Sequence, residues 1–140
     1  MRTLGILTII WAIFSFSCEK EKCNETQASA FQFGFRATVE VRENGTAVNG
    51  ANVTLDIRKV YCKGTTGGDY QFEGTTFGGQ YSTPGAVTIG MDNTEDYVYV
   101  FYTAEHNGVK KDFTTTYKYS VFENLQYSND DFEDFYVFNF

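Results

Sequence analysis

"FQFGFRATVEVR", residues 31–42, decides the fold. Phe31, Phe33, Phe35, Ala37, Val39 and Val41 alternate with Gln32, Gly34, Arg36, Thr38, Glu40 and Arg42. A period of two sends successive side chains to opposite faces, so this stretch reads as a strand with one core face and one wet face. Asn44-Gly45 follows, a dipeptide that suits a tight turn because both residues tolerate positive φ. Beyond it, Ala51, Val53, Leu55 and Ile57 alternate with Asn52, Thr54, Asp56 and Arg58. Lys59 breaks that pattern and predicts a bulge or a strand end. The simplest pairing makes these two runs a hairpin, with Cys62 beside Phe31.

The same grammar continues along the chain. "KGTTGGDY" reads as a glycine-rich loop, "YQFEG" as a short strand and "TFGGQYSTPG", with the only proline, Pro84, as irregular. Val87, Ile89 and Met91 alternate. "YVYVFYTAEH" is apolar on both faces, as a central strand is. "NGVKK" is a second turn, and "DFTTTYKYSVF" places Phe113, Thr115, Tyr117, Tyr119 and Val121 on one face. "NLQYSNDDFED" reads as an acidic loop with at most one helical turn, and "FYVFNF" as another strand. About seven or eight strands without a convincing helix predict an all-β chain, an antiparallel β-sandwich. A small outer-membrane barrel is the alternative. It needs at least eight strands of about 9–11 residues, and the glycine-broken stretch 64–85 supplies too few.

"VRENGTAVNGANVTL", residues 41–55, resembles the opening of transthyretin-like, or carboxypeptidase-regulatory-like, β-sandwich domains. Gly45, Val48, Gly50, Ala51 and Val53 carry the likeness. Two glycines permit turns, Val48 tucks under them and Ala51 enters the next strand without crowding. "GAVTIGMDNTEDYVYVF" is similar to the later strand–turn–Tyr–strand portion of that family and of bacterial Ig-like modules, where Tyr97 would be a tyrosine corner. The resemblance implies a binding, adhesive or scaffolding domain without catalysis. It transfers no ligand residue.

The start of the chain has a different character. Arg2, an almost wholly apolar stretch over residues 4–14, and the small residues Ser15 and Ser17 describe a secretory signal peptide, too short to be a spanning helix. "SFSCEKEKC" then places Cys18 directly after small residues. This resembles the lipobox of bacterial lipoproteins, which implies diacylglycerol on Cys18 after cleavage and a charged export signal in "EKEK". Ordinary cleavage near Ser17, with Cys18 free or in a disulfide, is the other reading. On the lipoprotein reading residues 1–17 are the signal peptide, 18–30 the lipidated cysteine and tether, and 31–140 the sandwich. The anchor sits on the outer membrane, on its periplasmic or cell-surface face. Of three cysteines, lipidation of Cys18 leaves Cys23 and Cys62 to form one disulfide in an oxidising compartment or to remain two thiols.

Charge narrows the partners. Removing residues 1–17, which hold Arg2 and no acid, leaves ten Lys and Arg against eighteen Asp and Glu, a net charge of −8. Such a chain lacks the concentrated positive charge that phosphate binding needs, so no nucleic acid partner is expected. The same charge argues against electrostatic adhesion to anionic lipid, so a membrane-bound form would be held by the lipid on Cys18. The expected partner is an unidentified protein or glycan.

Catalytic and metal signatures are thin. The single histidine, His106, precedes the turn Asn107-Gly108 and reads as a solvated turn residue. No GxSxG accompanies it, zinc usually takes several His or Cys ligands, and the glycine-rich loop lacks a Gly-Lys-Ser/Thr ending. Two acidic clusters, around Asp92 and Asp96 and around Asp130 and Asp131, are weak calcium candidates without EF-hand spacing. The expectation is therefore no enzyme, no metal and no cofactor. Aromatic residues make up 18% of the chain. Tyr97, Tyr99 and Phe101 share a strand face opposite Val98, Val100 and Tyr102. One face must be core, and the other is a candidate binding face.

Overall fold

The computed structural model describes residues 27–61 and 66–140. The signal-like stretch, Cys18, Cys23 and Cys62 lie outside the described residues. The chain forms two facing sheets that are not closed into a barrel. It is an all-β sandwich, and the outer-membrane barrel alternative is set aside.

β1 (Gln27–Glu43) begins before Phe31 and is the longest strand. Asn44 at φ 49° and Gly45 at φ 80° make the two-residue turn expected of Asn-Gly. The strand that follows is only β2 (Thr46–Ala47), which pairs back on Arg42 and Glu43. The expected hairpin between β1 and the run at 51–58 is not formed. Val48 turns into the core instead, its amide donating to Val41 at 2.9 Å. Gly50 at φ 76° then redirects the chain into the other sheet. Thr76 pins this crossing: its hydroxyl donates to the Val48 carbonyl at 2.5 Å and accepts the Ala51 amide at 3.1 Å. β1 and β3 lie in different sheets, so the pairing expected to set Cys62 beside Phe31 is not formed.

The second sheet has the order β4-β3-β7-β8 and is antiparallel throughout. It comprises β3 (Asn52–Val60), β4 (Thr66–Thr75), β7 (Tyr97–His106) and β8 (Val109–Lys118). β4 extends the expected "YQFEG" strand back through Gly67 and Gly68, because β3 offers a ladder as far as Val60. The break expected at Lys59 is present as a register shift between Lys59 and Val60. Asn107 and Gly108, at φ 51° and 75°, form the second Asn-Gly turn, between β7 and β8.

The first sheet is organised by β1. Its first half pairs with β6 (Val87–Asn93), and its second half with β5 (Gln80–Ser82) and β2. Along its other side runs β9 (Phe132–Asn139), parallel to it. The expected strand through Tyr119 and Val121 stops at Lys118. Residues Tyr119–Phe122 form one helical turn, α1, followed by a 3-10 segment, Glu123–Tyr127. This turn buries Tyr119 and Phe122 and leaves Val121 exposed. Phe122 stacks on Phe33 at 4.4 Å and meets Phe132 edge-on at 5.0 Å, so the turn plugs one end of the core.

Between the sheets, Phe35, Val39 and Val41 of β1, Leu55 and Ile57 of β3, Ile89 and Met91 of β6, and Val98 and Val100 of β7 belong to one buried cluster. Each fully buried aliphatic or aromatic side chain contributes about 1.5–3 kcal/mol. Tyrosines close both flanks. On one flank Tyr70 donates to the Thr88 carbonyl at 3.0 Å and Tyr81 to the Glu73 carbonyl at 3.1 Å, each crossing from one sheet to the other. Gly74 makes room for this: a Cβ there would lie 2.1 Å from the Tyr81 ring. On the opposite flank, Phe113 and Tyr136 stack at 3.8 Å with an interplanar angle of 4°.

Candidate binding face

β7 resolves which of its two apolar faces is core. Val98, Val100, Tyr102 and Ala104 are fully buried. Tyr97, Tyr99 and Phe101 lie on the outer face of the four-stranded sheet and are half-buried. Residues paired across adjacent strands share a face, so the register sets their neighbours. Tyr99 sits between Arg58 and Thr116, Phe101 between Asp56 and Thr114, and Tyr97 between Val60 and Lys118. Arg58 in turn faces Asp69 of β4.

Arg58 is the polar centre of this face. Its Nε donates to Asp56 Oδ1 at 2.9 Å, its Nη2 to Asp56 Oδ2, and Asp69 Oδ1 lies 3.3 Å from Nε. The Asp56 carboxylate thereby holds the guanidinium above even its usual basicity. The hydrogen bond between Asp69 and Asp56 raises the Asp69 carboxyl, assisted by burial and by the charge of Asp56. Asp56 is 7% exposed, whereas the Arg58 side chain is 42% exposed. The buried acid therefore orients a guanidinium that is itself partly exposed on this face. Aromatic rings flanking a fixed fork of donors and two carboxylates suit a ligand with apolar ring faces and many hydroxyls.

The acidic candidates are engaged by basic side chains and backbone of the chain itself. Asp92 and Asp96 flank the β6–β7 turn and meet Lys59, whose Nζ lies 3.3 Å from Asp92 and 3.5 Å from Asp96. Lys59 also stands 3.9 Å from the centroid of the Tyr61 ring. The hydrogen bond with Asp96, with the help of Lys59, holds the Asp92 carboxyl below its usual range. Asp131 pairs with Arg36 at 2.8 Å, and the Asp130 amide donates to Ser128 Oγ at 3.3 Å. Among the described residues no three His, Cys, Asp or Glu side chains gather as a metal site.

A second polar cluster lies inside the flank between β8 and β9. The Tyr102 hydroxyl donates to Asp134 Oδ2, and the Tyr117 hydroxyl to Asp134 Oδ1 at 2.6 Å. Burial, then the hydrogen bond to Asp134, push both phenols up, Tyr117 to about 12 and Tyr102 further. This carboxylate ties strands of both sheets together. His106 is not the solvated turn residue expected. It packs edge-on against Phe140 at 5.8 Å, with Nε2 3.4 Å from Glu43.

Sequence reasoning placed Tyr97, Tyr99 and Phe101 on one face but missed Asp56, Arg58 and Asp69, which join them only through the β3–β4 and β3–β7 registers. It also missed Asp134 as the hub of two tyrosines. Tyr97 opens β7 on the outer face, and the tyrosines that close the sandwich are Tyr70, Tyr81, Tyr102 and Tyr117. No protein-family model matches the chain, and no curated protein or solved structure matches it.

Proposed function

We propose that the chain is an exported, lipid-anchored, non-catalytic binding module of the bacterial envelope, held at the outer membrane through Cys18. The outer β3–β7 face takes a glycan. One observation carries the binding reading: half-exposed Tyr97, Tyr99 and Phe101 lie beside a guanidinium held in place by Asp56. The anchor reading rests on the apolar run, the small residues at 15 and 17, and Cys18. The transthyretin-like resemblance of residues 41–55 agrees with an accessory binding role.

Two measurements on the full-length protein test the two halves separately. A fatty-acid probe should label the wild type and not Cys18→Ala, which should also leave the membrane fraction. Equal labelling of both would leave a soluble secreted Ig-like module as the better reading. In titrations against a panel of soluble polysaccharides, Tyr99→Ala should weaken a bound glycan at least about tenfold, equivalent to roughly 1.4 kcal/mol. Unchanged affinity in a folded Tyr99→Ala protein would reject this face.

A further inference from the structure

The strand edges of this sandwich are defended unequally. β8 carries Lys110, Lys111 and Lys118 along its edge, a common device against unwanted pairing. β2 and β5 have two and three residues. The edge of β4 is crossed by Tyr81, and Tyr70 takes a carbonyl of β6. β9, "FEDFYVFN", has eight residues and contains no Lys, Arg, Gly or Pro. Among the described residues it pairs only with β1.

Its backbone polarity can be read directly. Phe140 donates to the Arg42 carbonyl at 2.7 Å and accepts the Asn44 amide at 3.4 Å, so its peptide groups face β1. Alternation along a strand then turns the amides and carbonyls of Glu133, Phe135, Val137 and Asn139 to the open side. Two of these groups have side-chain partners: Asp134 Oδ1 accepts the Phe135 amide at 2.9 Å, and Lys111 Nζ donates to the Asn139 carbonyl. A cleft of about 370 Å³ runs beside this edge, lined by Lys111, Asp112, Tyr136, Val137, Phe138 and Asn139. Phe135 is 53% exposed on the outer surface next to it.

We infer that β9 is a homodimerisation edge, pairing antiparallel with β9 of a second copy of this chain about a two-fold axis at Tyr136. That register uses the whole strand and is self-complementary. Phe135 faces Val137 of the second copy, Asp134 faces Phe138, and Glu133 faces Asn139. No acid opposes an acid, although the chain carries a net charge of −7, and an aromatic residue meets a β-branched one twice. The outward groups of Phe135 with Val137, and of Glu133 with Asn139, become hydrogen-bonded pairs, about eight bonds across the axis. Those bonds replace the two side-chain contacts. A two-fold interface of this kind closes on itself and does not propagate into fibres.

The test replaces Phe135 with the photo-cross-linker benzoylphenylalanine in the full-length chain. Irradiation should give a species of twice the chain mass whose cross-link maps to residues 135–139 of a second copy. Val137→Pro removes an outward donor and leaves the β1 ladder intact, since proline is tolerated at an open edge. It should cut the cross-link at least about tenfold with an unchanged far-UV circular dichroism spectrum. Glu133→Lys combined with Asn139→Lys sets like charges opposite each other and should do the same, which covers the case of a misfolded proline variant. A cross-link absent from the otherwise wild-type chain, mapping to residues 1–26 or to a different protein, or persisting in both folded variants would overturn the inference.

Discussion

Removing the Asp134 carboxylate tests how the two sheets are fastened at the β8–β9 flank. Asp134 accepts from Tyr102 and Tyr117. Tyr102 is fully buried, so its hydroxyl has no access to water. A hydrogen bond to a charged group contributes about 1.5–3 kcal/mol, and a buried donor left without a partner costs about 1–3 kcal/mol. Tyr117 is half-buried and regains water when the carboxylate is removed. Asp134→Ala should therefore cost about 3–4 kcal/mol, most of it through Tyr102. Tyr102→Phe alone should cost about 1.5–3 kcal/mol, because Asp134 keeps Tyr117. The double variant should cost no more than Asp134→Ala, since with both partners gone no buried donor is stranded. The coupling in the double-mutant cycle should be about 1.5–3 kcal/mol, far above the roughly 0.5 kcal/mol scatter of independent sites. Urea unfolding followed by far-UV circular dichroism at pH 7 measures all four proteins. If the single costs simply add, or Tyr102→Phe is neutral, the Tyr102–Asp134 bond does not fasten the sheets and the account of this flank is wrong.

Alkaline titration gives an independent reading of the same cluster. Tyr117 is raised from 10.0 to about 12, so the folded chain holds this proton more tightly than the unfolded chain. Its contribution is complete below pH 10 and disappears as pH rises towards 12. The shift corresponds to a few kcal/mol at full value, reduced to about 1 kcal/mol by solvent exposure. Tyr117→Phe should lose less stability than wild type between pH 9 and 11.5, and parallel pH curves would contradict the assignment. In the core, Leu55 is fully buried and Gln32 is not. Leu55→Ala should cost about 2–5 kcal/mol and Gln32→Ala well under about 1 kcal/mol by the same unfolding assay. The reverse order would mean that β1 and β3 each present the other face.

Much of this fold is local and therefore legible in the residues. Alternation over residues 31–42 and 51–58 sets which side chains of β1 and β3 are core, because a strand has no other way to place successive Cβ atoms. Asn44-Gly45 and Asn107-Gly108 specify their turns by the positive φ they tolerate, and Val48 and Gly50 mark the crossing that follows the first turn. Lys59 signals the break in the β3–β4 ladder.

Pairing is not local, and there the sequence offers several answers of similar merit. The run after Asn44-Gly45 suits a hairpin with β1. Only the burial of Val48 and the Thr76 hydrogen bonds send it to the other sheet. "YKYSVF" continues an alternating strand by pattern, yet Phe122 finds its partners, Phe33 and Phe132, only by turning into α1. β9 runs parallel to β1 across some hundred residues of chain, a contact that no local signal encodes. The face at Arg58 and the hub at Asp134 follow from those registers. Side chains distant in sequence become neighbours only once strands have chosen partners, and that choice is made by the buried surface the whole sandwich gains.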